Sequence, residues 1–249
     1  VFGFILTIFI MGIPIPDLSW SQLSTLFISG FIGVGIADLL FLGSLRRLGS
    51  GLSAIVATMY SPAIFLFSYL MFGESISIQS YLGGLLVILG IAISTFKVPL
   101  TKDKKTIIQG VLFGIIAQIL TAYSVLLVKP IMADNSVIII ALYRFSIGFI
   151  FTVFCLGYKY GQIKVFSTFK SGLKNISIIL GAFMGTYLSV IFWLAGFKYT
   201  ISGRAAIYNQ LSTVIIIIMA FLFLKEPMTK KKYLGVILSI TGALIVSSS

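Results

Sequence analysis

The sequence predicts an all-α integral membrane protein, arranged as an inverted-repeat helical bundle of two five-helix repeats. The first observation is composition: 59% of residues are hydrophobic, 10% are charged and the mean hydropathy is +1.13, whereas soluble domains carry about 25% charged residues. The second is a succession of apolar runs of about 20 residues, the length of a membrane-spanning helix. The third is that residues 203–242 repeat residues 51–90.

The repeat has a fixed period. A shift of 152 positions, with no gap, gives 12 identities in 40 residues. Apolar residues match often by chance, so the inference depends on the polar and glycine positions. The pairs that carry it are Glu74 with Glu226, Tyr81 with Tyr233, Gly83 with Gly235, and Gly90 with Gly242.

The spans follow in order along 249 residues. Residues 1–97 form the first repeat, which holds the end of span 2 and then spans 23–44, 52–72 and 80–97. Residues 98–106 form a basic linker. Residues 107–249 form the second repeat, with spans 107–128, 136–158, 175–196, 204–224 and 232–248.

The partial first span ends at Pro14 and Pro16, because proline lacks a backbone donor. By the repeat period, we expect the first repeat to begin roughly 46 residues before Val1. The full protein would then have ten helices, of which this chain holds eight full spans and a stub.

Five spans per repeat is an odd number, so the two repeats should lie in opposite orientations across the bilayer. Inverted repeats characterise many secondary transporters, whose site lies near the midplane of the membrane. The motif Ser29-x-x-x-Gly33 and its repeat mate Gly181-x-x-x-Gly185 place small residues four apart. This spacing predicts close packing of helices.

The net charge of +12 comes from loop lysines rather than from one polar helix face, so we expect no nucleic-acid partner. Of the 18 basic residues, 14 fall on one side of the predicted topology. The bias predicts that this side is cytoplasmic and that the C-terminus is outside.

Several chemistries lack a sequence signal. Cys155 is the single cysteine and histidine is absent, so we predict no internal disulfide and no metal site. No phosphate-binding loop is present, and the six acidic residues form no spaced pair. We therefore predict neither a cofactor nor an enzyme.

Arg144 is the most informative single residue, because it lies well inside a predicted span. A charge there costs about 2.5 to 3.5 kcal/mol on insertion scales, so the side chain should face the bundle interior or water. Its guanidinium is suited to binding a carboxylate. A structural pairing with an acid of the protein is the alternative.

Asp38 is the acid well inside a span of the first repeat, and its repeat mate is Val190. An intramembrane carboxylate is a candidate for proton coupling. The alternatives are a cap at a helix end or a static pair with Arg46 or Arg144.

Polar and aromatic residues within the second repeat are further candidates for binding a solute. Asn209 and Thr213 share a helix face, which we expect to point inward. Interhelical hydrogen bonding and ordinary packing are the alternatives for this set. The substrate-binding candidates besides Arg144 are Asn209, Gln210, Thr213, Tyr123, Tyr187 and Trp193.

Glu74 and Glu226 repeat, and each lies at the end of an apolar run before a Ser- or Thr-led helix start. A carboxylate at that position accepts hydrogen bonds from the first backbone N–H groups of a helix. We predict that both glutamates cap the helix that follows.

The repeated segments share a doubled pattern. It reads Gly51 … Pro62 … Glu74-x-x-Ser77 … Gly83 … Gly90, and then Gly203 … Glu226-Pro227-x-Thr229 … Gly235 … Gly242. This pattern resembles the EamA-type transporters of the drug/metabolite transporter superfamily. The Arg144-Phe145 pair also resembles the second span of a family repeat.

The resemblance implies a ten-helix transporter of amino acids, nucleosides, sugars, other metabolites or toxic organics, with export common. Val214 stands where the second repeat would carry the helix-breaking proline. Family members usually keep both termini cytoplasmic, which disagrees with the charge bias, so the orientation stays open.

The sequence thus predicts a secondary transporter of small organic metabolites, amino-acid-like or other polar solutes. It would be multi-pass in the prokaryotic inner membrane and would work by alternating access, with export as the expected direction. Transport would be coupled either to a proton gradient or only to the solute's own gradient. Its expected partners are a small-molecule substrate and the lipid bilayer. The alternative is a membrane-embedded lipid-handling protein, flippase-like, or a membrane enzyme.

Overall fold

The computed structural model describes residues 1–95, 103–225 and 228–247, and these are helical almost throughout. Glu226 and most of the predicted linker 98–106 lie outside the described residues. The first part of the chain forms α1 (Phe2–Met11), α2 (Trp20–Ser29), a π-helical segment π1 (Gly30–Ile36), α3 (Ala37–Ala57), α4 (Tyr60–Phe72) and α5 (Ile78–Thr95). The second forms α6 (Lys104–Asp134), α7 (Val137–Tyr160), α8 (Gln162–Gly172), α9 (Ile176–Ala182), π2 (Phe183–Leu188), α10 (Ser189–Tyr199), α11 (Ser202–Leu224) and α12 (Lys230–Ser247).

Five stretches of the described residues are long and apolar enough to cross a membrane: Trp20–Ala57, Lys104–Asp134, Val137–Tyr160, Ile176–Tyr199 and Ser202–Phe223. Three shorter apolar helices accompany them, at Phe2–Met11, Tyr60–Phe72 and Ile78–Ser94. The chain is an all-α, multi-pass membrane protein, as predicted.

The predicted span 52–72 is not one continuous helix. The chain kinks at Gly49, whose φ is +77°, and the helix breaks at residues 58–59 before α4 begins. Pro62 explains the break, because it cannot donate a hydrogen bond to the carbonyl of Thr58. In the second repeat Val214 replaces this proline, and α11 runs through it unbroken.

The two π-helical segments preserve the repeat in backbone geometry. The period of 152 residues carries Gly30–Ile36 onto residues 182–188, and π2 occupies Phe183–Leu188. A π-helix adds a residue to each turn and is rare. Its occurrence at matched positions shows that the two repeats share this irregularity as well as their sequence pattern.

Two further boundaries differ from the sequence prediction. The helix predicted to end at residue 128 continues through Pro130 to Asp134; this proline lies in the last turns, where one backbone donor is lost. The connection between α7 and α9, predicted as a basic loop, contains the helix α8.

The chain divides into two compact units, and each unit draws on both repeats. The first unit comprises Val1–Leu39 and Ser124–Tyr199, and the second comprises Leu40–Tyr123 and Thr200–Ser249. The compact units are thus a different division from the sequence repeats, whose boundaries stay a prediction.

In the second unit, α5 and α12 pack with their backbones in close approach. Gly83 lies against Gly242, and Gly90 lies against Gly235. Residue numbers therefore rise along α5 as they fall along α12, so these two repeat mates run antiparallel. Near the middle, Ser239 Oγ donates to the carbonyl of Val87, its own repeat mate, at 3.3 Å. This is the inversion that the odd number of spans predicts.

In the first unit, α7 packs on π1. A Cβ on Gly30 would lie 2.6 Å from the Arg144 carbonyl oxygen, and a Cβ on Gly35 would lie 2.6 Å from the Phe151 ring. Conversely, a Cβ on Gly148 would lie 2.5 Å from Val34. Glycines on both helices therefore bring the two backbones together, and this contact positions Arg144.

Candidate solute-binding site

Arg144 lies in α7 and is only 1% exposed, the largest fully buried side chain among the described residues. Its Nη2 donates to Ser124 Oγ at 3.2 Å. Its guanidinium carbon lies 5.5 Å from the centre of the Trp193 ring. A hydroxyl and an aromatic ring thus contact a cation that is deep in the packed interior of the first unit.

Ser124 is held in place by the neighbouring helix. Ser29 Oγ donates to the Ser124 carbonyl at 2.6 Å. A Cβ on Gly33 would overlap Ser124 Oγ and lie 3.2 Å from Arg144 Nη2. The close approach predicted for the Ser29-x-x-x-Gly33 motif is therefore observed, and it forms one wall around the guanidinium.

The repeat mates of this motif behave differently. A Cβ placed on Gly181 or Gly185 would meet no atom of the described residues within 4 Å. The predicted close packing at Gly181-x-x-x-Gly185 is therefore wrong for the part of the chain that the structure describes. The same small-residue motif packs in the first repeat and stays open in the second.

Trp193 and Tyr187 belong to the same compact unit as Arg144. Trp193 is half-buried and also lies edge-on to Phe197 at 6.0 Å. Tyr187 stacks on Phe183 at 5.3 Å, and its hydroxyl is in hydrogen-bond contact with Thr7 Oγ1. Trp193 therefore contacts the arginine directly, whereas the contacts of Tyr187 are with other residues.

Asp38 lies in the first turn of α3, directly after π1, and its side chain is exposed. It interacts electrostatically with Arg144. Arg144 is one of the two arginine partners that the sequence left open for this carboxylate.

The remaining predicted binding residues lie in the second unit. Gln210 is 7% exposed, and its Nε2 donates to Ser61 Oγ at 3.2 Å and to the Ala57 carbonyl at 3.4 Å. Asn209 is exposed and Thr213 is half-buried. Gln210 is thus the buried amide of α11, and the inward orientation of the Asn209 and Thr213 face stays a prediction.

Tyr123 is half-buried in α6. Its ring meets that of Phe67 edge-on at 5.5 Å. This contact is an ordinary aromatic pair within the second unit.

Glu74 lies between α4 and α5 and contacts the start of α11. Its Oε2 accepts a hydrogen bond from the backbone N–H of Ser202 at 3.0 Å, and Ser202 is the first residue of α11. The carboxylate thereby joins the end of one repeat's α4 to the start of the other repeat's α11. The cap on α5, the helix that follows Glu74, stays a prediction.

The structure therefore brings Arg144, Trp193 and Asp38 into one interacting group and places the polar residues of α11 in the other unit. Sequence reasoning missed Ser124, which holds the guanidinium. A signal was present, since the small-residue motif at Ser29 and Gly33 predicted a close helix contact without naming its partner.

Inverted repeats of membrane-spanning helices occur in many secondary transporters. The family model of the EamA-like transporter family matches residues 1–96 and 108–248. The chain belongs to the EamA-like transporter family and is a membrane transporter of the drug/metabolite transporter superfamily.

Two individual comparisons agree with this assignment. The chain is similar to Protein PecM of Dickeya dadantii (strain 3937), with 21% identity over 247 residues, covering 96% of this chain and 78% of the relative. A crystal structure shares the fold with a TM-score of 0.74 and 12% identity, covering 98% of this chain and 82% of the other. At that identity the second likeness bears on the fold alone.

Proposed function

We propose that this transporter carries small organic metabolites bearing an anionic group, with the Arg144 guanidinium as the group that binds the anion. The observation that carries the proposal is the burial of this cation against Ser124 and Trp193. Amino-acid-like solutes and other polar metabolites with a carboxylate belong to this class. Movement would be by alternating access in a prokaryotic inner membrane, with export as the direction.

The chemistry favours a carboxylate. A buried arginine is costly in a membrane protein unless its charge serves a partner or a pathway. Guanidinium binds a carboxylate through two parallel hydrogen bonds. The Trp193 ring faces the cation, and a cation–π contact contributes about 0.5 to 2 kcal/mol. Ser124 and Trp193 together orient the guanidinium so that little order is lost when a solute binds.

Asp38 supplies a reason for proton coupling. Its carboxylate is exposed and interacts electrostatically with Arg144. A bound anion would compete with this carboxylate for the arginine, and protonation of Asp38 would remove the competitor. Coupling of solute binding to proton binding follows from that competition, because each would favour the other.

The test is uptake into proteoliposomes that contain the full-length protein, with a panel of anionic, zwitterionic, neutral and cationic metabolites. We expect anionic or zwitterionic solutes to be transported, and Arg144→Ala to reduce that transport far more than it reduces the reconstituted yield. Arg47→Ala is the matched control, because Arg47 also faces an aromatic ring, Phe113, at 4.6 Å, but lies in the second unit.

Three outcomes would contradict the proposal. Equal losses of yield and transport in Arg144→Ala would show that the arginine is structural. Transport confined to cationic or neutral solutes would show that the solute does not need an anionic group. Lipid scrambling in the same vesicles without solute movement would favour the lipid-handling alternative.

A further inference from the structure

The helix α8 is an amphipathic basic helix that the transporter architecture leaves unexplained. It follows the sharp turn at Gly161, whose φ is +85°, and none of its residues is buried. Its repeat-equivalent segment, residues 10–20, contains Pro14 and Pro16 and is largely non-helical. The helix is thus a feature of the second repeat alone.

One face of α8 is apolar and exposed. Phe166, Phe169 and Leu173 recur at helical spacing on this face and are 68%, 54% and 56% exposed. Lys164 and Ser171 lie on the opposite side of the helix. A contiguous exposed apolar face of this kind marks a site of contact with a membrane or with another protein.

The length and position of α8 favour a location at the membrane surface. Eleven residues span about 16 Å, whereas the hydrocarbon core is about 30 Å thick. The helix connects the end of the span α7 to the start of the span that begins at Ile176. It therefore stays on one side of the bilayer, at the level where the two spans emerge.

The charge of this segment favours a negatively charged lipid as its partner. Between Asp134 and Glu226 the sequence has no acidic residue. Four lysines lie in or beside the helix, all in exposed or half-buried positions: Lys159, Lys164, Lys170 and Lys174. Each lysine near a negatively charged lipid surface contributes about 1 kcal/mol of attraction in general.

We propose that α8 is an interfacial helix that binds anionic phospholipid of the surrounding bilayer. Its Phe166, Phe169 and Leu173 face enters the boundary between headgroups and acyl chains, and its lysines contact lipid phosphates. The second repeat is thereby fixed to one membrane surface at a point where the first repeat has no such helix.

A single environment-sensitive label tests the proposal in the full-length protein. In a Cys155→Ser background, Phe169→Cys places nitrobenzoxadiazole on the apolar face, and Ser171→Cys places it on the opposite face. The variants are reconstituted in vesicles of phosphatidylcholine, with or without phosphatidylglycerol, and quenched with neutral acrylamide. Size-exclusion chromatography checks that each variant is folded.

We expect quenching at position 169 to be several-fold weaker than at position 171, with more protection when phosphatidylglycerol is present. Lys164→Gln with Lys170→Gln should remove roughly half or more of that added protection. Lys104→Gln with Lys105→Gln, an equal change of charge at the start of α6, should leave it unaltered.

Two results would overturn the proposal. Equal quenching at positions 169 and 171 in both lipids would show that α8 is not in the interface. Strong protection at position 169 that depends neither on phosphatidylglycerol nor on the lysines would show a purely apolar anchor without recognition of anionic lipid.

Discussion

At the scale of single residues, the proposed function depends on one cation and the groups that hold it. Arg144 is buried, hydrogen-bonded to Ser124 and placed over the Trp193 ring. Transfer of such a charge into a membrane is costly on any scale. We therefore propose a functional role for Arg144. Ser124 and Trp193 orient its planar guanidinium so that it can bind an anion.

Asp38 gives the first residue-scale prediction. Asp38→Asn removes the charge that interacts with Arg144 and the group that would take up a proton, so we expect transport to lose its dependence on a pH gradient. The measurement is solute uptake into proteoliposomes with and without an imposed gradient. Asp17→Asn, an acid before the start of α2, is the control and should keep the dependence. Unchanged coupling in Asp38→Asn would remove this carboxylate from the mechanism.

The sequence predicted the members of this group better than their contacts. Arg144 and Trp193 each stood out in the sequence, but 49 positions separate them and no local pattern joins them. Ser124 was missed because a single serine in an apolar span carries no signal of its own. Gln210 is buried and Asn209 is exposed, a difference that two neighbouring amides do not reveal in the sequence.

At the scale of elements, close helix approach determines where these residues lie. The glycines of π1 allow the backbone of α7 to approach closely, and the glycines of α5 and α12 allow the same close approach between those two helices. Glycine and other small residues are the usual means of tight packing in membranes, where apolar burial gives little driving force between helices.

The two copies of one glycine position provide a matched element-scale prediction. Gly33→Ala puts a methyl group onto Ser124 Oγ and beside Arg144 Nη2, whereas Gly185→Ala meets nothing within 4 Å among the described residues. Overpacking typically costs about 1 to 3 kcal/mol. We expect Gly33→Ala to lower thermal stability in detergent and to weaken transport, with Gly185→Ala near wild type.

A thermal unfolding assay on the purified variants measures the stability difference, and proteoliposome uptake measures transport. Similar behaviour of the two alanine variants would show that the contact around Gly33 does not position Arg144. The pair controls for helix propensity, since both substitutions replace glycine by alanine in a π-helical segment.

Elements were predictable where periodicity or the repeat specified them. The spans 136–158, 175–196 and 204–224 agree with the helical stretches to within a few residues. The α6 helix extends past its predicted end, and the predicted span 23–44 is part of a longer stretch, Trp20–Ala57, that is kinked at Gly49. Pro62 explains the break before α4, although residues 52–72 form a single apolar run in the sequence. The helix α8 was not predicted, because the lysines of this segment indicated a loop. Its apolar residues nevertheless recur at helical spacing.

At the scale of the whole molecule, the inverted repeat is the fold, and the proposed mechanism depends on it. The antiparallel packing of the repeat mates α5 and α12 shows the inversion directly. Two similar halves in opposite orientation can exchange roles, which is how such transporters open to each side in turn. Asp38, which belongs to the functional group around Arg144, has Val190 as its repeat mate, so the two repeats differ at this position.

The central claim is that Arg144 binds the anionic group of the solute, and equilibrium binding tests it without any requirement for gradient or orientation. For a carboxylate solute found in the uptake panel, affinity is measured against that of its neutral amide, in wild type and in Arg144→Gln. We predict that wild type prefers the carboxylate by roughly ten- to hundred-fold, as a charge-assisted hydrogen bond implies, and that Arg144→Gln loses this preference. An equal preference for the carboxylate in both proteins would contradict the account.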